Sequence, residues 1–131
     1  MAIVENKAAA RSYYEQLLNQ GNMSAAEAIF APDIQFHYPL GDLSGADTVK
    51  GFLAGVRTAF PDIHFAVADL VAEGNSVAAR WTLTGTQTGE LGGRAPTGQR
   101  VSVPGIAVFH VVNGKIHEMW TAFDPARLIK D

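Results

Sequence analysis

A chain of 131 residues, 47% apolar and 18% charged, is long enough for one globular domain with its own core. A net charge of −3 supplies no basic surface for nucleic acid or anionic lipid, the absence of cysteine removes disulfides and thiol chemistry, and no apolar run approaches the roughly 20 residues of a membrane-spanning helix. The N-terminal "MAIVENKAAARSYY" lacks the apolar stretch of a signal peptide, so a cytoplasmic location is the default expectation.

Residues 4–20 place Ala10, Tyr13, Tyr14, Leu17 and Leu18 at helical spacing, closed by Gly21. "SAAE" at 24–27 has the form of a capping box, Ser24 to Glu27, opening a second helix that runs to about Phe30 and stops at Pro32. "DIQFHY", 33–38, alternates as a short strand ending at Pro39. In 45–62, Asp47 or a neighbour caps a third helix with a stripe of Val49, Phe52, Leu53, Val56 and Phe60, ended by Pro61. From residue 63 the apolar period becomes two. Two strands join at Glu73-Gly74-Asn75, a Gly- and Pro-rich loop covers 92–100, and two further strands meet across Asn113-Gly114, followed by a short tail helix at 125–129. Helices first and strands later predict an α+β domain. Three N-terminal helices on one face of a curved antiparallel sheet would form a cone-shaped barrel enclosing a pocket.

The hairpin at "VNGK" admits two registers. A two-residue turn pairs Val112 with Lys115 and sets His110 opposite His117, away from Trp120 and Asp124. A three-residue turn with Gly114 left-handed makes a bulge and sets His110 opposite Ile116, on the face of Glu118, Trp120 and Asp124. The second is preferred, since Lys after Asn-Gly suits the longer turn and since the family resemblance given below implies it.

The elements "AFPD", "RWTLTGTQTGE", "PTGQRV" and "GKIHEMWTAFD" together resemble the SnoaL-like polyketide cyclase family of the NTF2-like superfamily, and the similarity spans nearly the whole chain. The resemblance implies a cone-like α+β barrel with a deep pocket, and ring closure by intramolecular aldol condensation without metal or cofactor. It implies Asp124 as the acid/base group and His110, fourteen residues earlier, as a pocket histidine. At "GTQTG" this chain has Gln87 where many relatives carry His, which puts a proton-donor role there in doubt.

Each candidate has a functional and a structural reading. Asp124 is either a general base for a carbon acid flanked by carbonyls or the cap of the tail helix ahead of Pro125. His110 either hydrogen-bonds a developing enolate or is a strand histidine at a sheet surface. His37 either orients ligand oxygens at the pocket mouth or is structural, and Gln87 either donates to a ligand carbonyl or packs. Trp120, Trp81, Phe36 and Tyr14 are expected in the substrate-binding wall, where core packing is the alternative. His37, His64, His110 and His117 lack metal-ligand spacing, so no metal or cofactor is expected. Arg80 invites an ion pair with Glu118. The expected activity is proton abstraction by Asp124 from an apolar carbonyl compound, followed by aldol cyclisation or isomerisation. The rival is a non-catalytic module holding a small hydrophobic ligand. The outer sheet face suits a homodimer, with Val101, Val103 and Phe109 as expected contacts.

Overall fold

The computed structural model describes residues 2–128. Its N-terminal helix is α1 (Ala2–Ser12), continued by a π-helical turn over Tyr13–Asn19. A 3₁₀ turn, Met23–Ala25, leads into α2 (Ala26–Ile29). Then come β1 (Phe30–Tyr38), β2 (Gly41–Ser44), α3 (Ala46–Ala59), β3 (His64–Glu73), β4 (Ser76–Thr86), β5 (Arg100–Val112), β6 (Lys115–Phe123) and α4 (Pro125–Leu128). The strands form one open, curved sheet in the order β2-β1-β6-β5-β4-β3. β1 runs parallel to β6 and all other neighbours are antiparallel, so the α+β class holds while the sheet is mixed.

Several local expectations change for identifiable reasons. Ser24 bonds the Asn22 side chain at 2.6 Å rather than an amide of its own helix, so the capping box does not form and the second helix shrinks to a 3₁₀ turn plus four residues. β1 begins at Phe30 and carries Pro32 where its pairing with β6 breaks register, which tolerates a residue without N–H. β2 was not expected. It folds back on β1 across Pro39-Leu40, pairing His37 with Asp42. Gly45 precedes α3 and no side chain caps that helix.

The π-helical segment is the largest departure from a regular helix. Its i→i+5 turn is rare and often accompanies a functional site. Here it lets Tyr13, Tyr14, Leu17 and Leu18 all be buried against the sheet. Both tyrosines meet Phe109 edge-on, at centroid distances of 5.7 and 5.9 Å. Asn19 then docks the helix end on β3 like one more strand residue. Its Nδ2 donates to the Phe65 carbonyl at 3.0 Å, and its Oδ1 accepts from the Phe65 amide at 2.7 Å. The Arg57 guanidinium donates to the carbonyls of Leu18 and Asn19, satisfying acceptors a helix end leaves open.

At the β5–β6 hairpin Asn113 and Gly114 both have positive φ, 52° and 77°, and Val112 pairs with Lys115. This is the two-residue turn, not the three-residue turn preferred from sequence. A bulge nevertheless follows one step later. Val111 pairs with Ile116 and His110 with Glu118, leaving His117 as the extra residue. The bulge buries both Ile116 and Met119, three positions apart, on the inner face. His110 therefore shares the face of Glu118 and Trp120, opposite Glu118 rather than Ile116. That face is the outer one: His110 is exposed, and Val101, Val103 and Phe109, expected as dimer contacts, are buried in the core.

The bulge makes a paired prediction. Deleting His117 forces Ile116 or Met119 out of the core and should abolish a cooperative urea transition. His117→Ala keeps the extra residue and should stay within about 0.5 kcal/mol of the wild type.

Candidate functional site

The inner sheet face and the helices do not close completely. A cavity of about 550 Å³ remains between them, within the size range of small-molecule sites. Tyr13, Tyr14 and Leu18 form one wall and Phe36 and Tyr38 of β1 another. Phe52, Leu53 and Val56 of α3 face Phe65, Trp81, Leu83, Thr121 and Phe123 of the sheet. The mouth is bordered by Leu40, Leu128 and the loop residues Glu90, Leu91, Gly92 and Arg94. The lining is mainly aromatic and aliphatic, which suits a flat apolar ligand. A second, open depression of about 270 Å³ lies on the outer face around Pro104, Gly105 and Ile106. Surface residues line most of it, so the larger cavity is the candidate site.

Trp81 anchors the cavity floor and its position depends on a neighbour. It pairs with Gly105 across β4–β5, and a Cβ at Gly105 would overlap Cζ2 and Cη2 of the indole. Only glycine lets the ring lie over the adjacent strand. Phe65 packs edge-on against the same indole at 4.9 Å.

Of the residues expected in the binding wall, Tyr14, Phe36 and Trp81 line the cavity. Gln87 is buried, on the inner parity of Trp81 and Leu83, but its amide is committed to its own loop. Nε2 donates to the carbonyls of Gly89 and Ala95, both at 3.2 Å, and Oε1 accepts from the Thr97 hydroxyl. It shapes the mouth rather than facing ligand.

Asp124 is exposed and lies outside the lining, between Phe123 and Leu128, which belong to it. Its Oδ1 accepts from the Ala126 amide at 3.0 Å, so the capping geometry is present.

His37, Trp120 and His110 are brought together, but on the outer face. His37 stacks on Trp120 at 5.5 Å and 24°, and His110 meets the same indole edge-on at 4.9 Å. His37 Nδ1 lies 2.9 Å from Asp42 Oδ1 and Nε2 2.6 Å from Glu118 Oε2. Ionised carboxylates accept only, so contacts from both ring nitrogens favour the imidazolium form of His37. The bond to Glu118, then that to Asp42, raises its pKa. Arg80 pairs with Asp69 at 2.7 Å instead of with Glu118, whose carboxylate His37 has taken.

Two residues of the cavity wall carry polar atoms that are buried away from it and lack partners. The Tyr14 hydroxyl and the Trp81 indole nitrogen are buried without a hydrogen bond. Burial, followed by the neighbouring Tyr13, pushes the Tyr14 pKa well up, with Trp81 working the other way, so the phenol stays protonated. The indole is near enough to favour charge on the Tyr14 oxygen, although neither polar atom has a hydrogen-bond partner. Sequence reasoning placed both residues in the wall. It had no signal for their unpaired donors, which arise from which rings surround them. Among the described residues no group of three or more His, Cys, Asp or Glu is arranged to hold a metal ion. None of the described helices is long and apolar enough to cross a membrane.

The profile of the SnoaL-like polyketide cyclase family matches residues 8–131. No curated protein matches the chain. Among solved structures, a provisionally assigned SnoaL-like polyketide cyclase from Jannaschia sp. CCS1 superposes with a TM-score of 0.88 at 23% identity, over 95% of this chain and 89% of that one. AclR of Streptomyces galilaeus, provisionally assigned as a hydroxylase, gives 0.82 at 32% identity over 98% and 85%. IdmH of Streptomyces antibioticus, provisionally assigned as a polyketide cyclase, gives 0.80 at 27% over 93% and 94%.

The outer cluster predicts a pH dependence. Because folding raises the His37 pKa, its contribution is complete below the unfolded value of about 6.5 and fades as pH rises through the folded one. The stability excess of wild type over His37→Gln should therefore shrink in urea titrations as pH rises above about 6.5. An unchanging difference would show that His37 is not held as the cation.

Proposed function

The chain belongs to the SnoaL-like polyketide cyclase family, and on that premise we propose that it is an enzyme performing acid/base chemistry on an apolar, enolisable carbonyl compound held in the cavity. The observation that carries this reading is the 550 Å³ aromatic-lined space itself. Its mainly aromatic and aliphatic walls leave few polar groups around a bound carbonyl, which strengthens each electrostatic contact made there. Proton removal next to a carbonyl gives an enolate. Attack of that carbon on a second carbonyl is aldol cyclisation, and reprotonation elsewhere is isomerisation.

For the proton transfer we assign Asp124. Its neighbours Phe123 and Leu128 line the cavity, and of its two oxygens Oδ1 is bonded to the Ala126 amide. Its position at the start of α4 favours the anion, so the substrate must be an activated carbon acid. Asp124→Asn should lower kcat by about 10²–10⁴ while leaving ligand affinity unchanged. Full turnover in Asp124→Asn together with a loss in Glu90→Gln would transfer the role to the mouth carboxylate of Glu90.

A second reading, hydroxylation of the bound compound, is favoured by one finding, the 32% identity to AclR. Product mass separates the two: isomerisation and aldol addition preserve it, dehydration after the addition removes one water, and hydroxylation, which consumes dioxygen and a two-electron reductant, adds one oxygen.

We also propose that the outer sheet face seats a second copy of the chain. Val71, Ile106, Val108 and Trp120 are exposed there. The neighbouring charges are paired within the chain, Arg80 with Asp69 and His37 with Asp42 and Glu118, so the face suits an apolar partner like itself. Light scattering should give twice the 14.0 kDa chain mass, falling to the single mass in Ile106→Asp/Val108→Asp. A wild-type monomer at assay concentration would remove the dimer.

A further inference from the structure

The segment 87–99 joins β4 to β5 and supplies Glu90, Leu91, Gly92 and Arg94 to the cavity mouth. Little apolar burial holds it there: Gly89 and Leu91 are half-buried, and the other residues from 88 to 99 are exposed. Its tip is a small turn of its own. Leu91 and Arg94 exchange backbone bonds at 3.0 and 2.9 Å, with Gly92 and Gly93 between them at positive φ. That turn fixes the shape of the tip but not its angle to the cavity.

The angle depends on Gln87, the buried side chain of the segment. The amides of Thr88 and Gly89 donate to the Ala59 carbonyl at 3.0 and 3.1 Å, which holds the outgoing arm. Gln87 joins that arm to the returning one. Its Nε2 donates to Gly89 on the way out and to Ala95 on the way back, and its Oε1 accepts from Thr97. Its backbone adds a bond to the Gln99 carbonyl at 3.0 Å and accepts from the Gly98 amide at 2.8 Å. A primary amide carries two N–H donors and an acceptor on one planar head. A neutral imidazole has one N–H, so the glutamine of "GTQTG" bridges both arms where a histidine would reach one carbonyl.

We propose that Gln87 is the positioning residue of the cavity mouth: by tying the two arms together it keeps Leu91 and its neighbours against a bound ligand and slows the ligand's release. The inference rests on the proposed use of the cavity and adds what retains the occupant. Without the amide, the Gly89 and Ala95 carbonyls turn to water and the loop leaves the mouth. Contacts made only after entry are then lost, which acts on dissociation more than on association.

The test follows prodan, an apolar fluorescent naphthyl ketone, in wild type, Gln87→Met, Thr97→Val and Asn6→Ala. Methionine keeps the length of glutamine without its donors. Thr97→Val removes one bond at the surface and serves if the buried variant does not fold. Asn6→Ala is the control, cutting a bond from Nδ2 to the Gly74 carbonyl, neither residue of which lines the cavity. Gln87→Met should speed hydrogen exchange at the Gly98 amide and prodan dissociation each about 10-fold, as the loss of one or two net hydrogen bonds implies. Association should stay within about threefold. Thr97→Val should raise both rates about twofold to threefold, and Asn6→Ala should leave dissociation within about twofold. Unchanged exchange in Gln87→Met, or faster exchange with unchanged dissociation, overturns the retention role. So does unchanged dissociation in Thr97→Val if Gln87→Met does not fold, or an equal rise in Asn6→Ala, which would mark general loosening. In each case the cavity reading stands. Failure of the wild type to bind prodan overturns the cavity reading and the retention role with it.

Discussion

One extra residue in the last long strand decides which way its remaining side chains face. Strand side chains alternate, so a single inserted position turns everything beyond it over. By absorbing His117 in a bulge, β6 buries Ile116 and Met119 alike, sends Thr121 and Phe123 into the cavity, and leaves Glu118 and Trp120 outside. The parity of β5, and with it the division of the sheet into an inner wall and an outer surface, follows from the same pairing. Both the cavity and the His37–Trp120 cluster exist because of that division.

The inner wall combines two unlike demands. Its aromatic rings pack as a core would, with Phe109 against both tyrosines and Trp81 over Gly105. Yet the packing stops short of closure and leaves donors unpaired in the surrounding wall. A sequence selected only for stability would fill such a space, because each missing contact and each unpaired donor costs free energy. The helix end that borders the space is correspondingly well tied down. Asn19 and Arg57 fix it to β3 and α3, so the gap is held open by anchored elements rather than by looseness.

The outer wall concentrates charge and aromatic surface in one place. His37 is bonded by carboxylates from β2 and β6 while its ring rests on Trp120, which ties the short edge strand to the centre of the sheet. This is a structural use of residues whose types equally suit catalysis. Imidazole, indole and carboxylate belong to the active-site vocabulary, and only their face of the sheet separates the two uses.

Much of this protein could be read from the chain itself. The switch of apolar period near residue 63 separates helices from strands because the two geometries repeat at 3.6 and 2 residues. Val49 and Leu53 are buried where the helical stripe put them, and Tyr14, Phe36 and Trp81, aromatics expected in the core or wall, border the cavity. The family was legible in its motifs. The face on which His110, His37 and Trp120 lie was not, because it depends on a bulge whose energy is set by pairing between distant strands. The fate of Gln87 was hidden for a similar reason: its amide answers to carbonyls of a loop whose path only folding defines. The parallel β1–β6 pair and the unpaired donors of Tyr14 and Trp81 belong to the tertiary structure alone. Local sequence sets periodicity and turn type, whereas which groups meet, and which are left without a partner, is decided when separate elements pack.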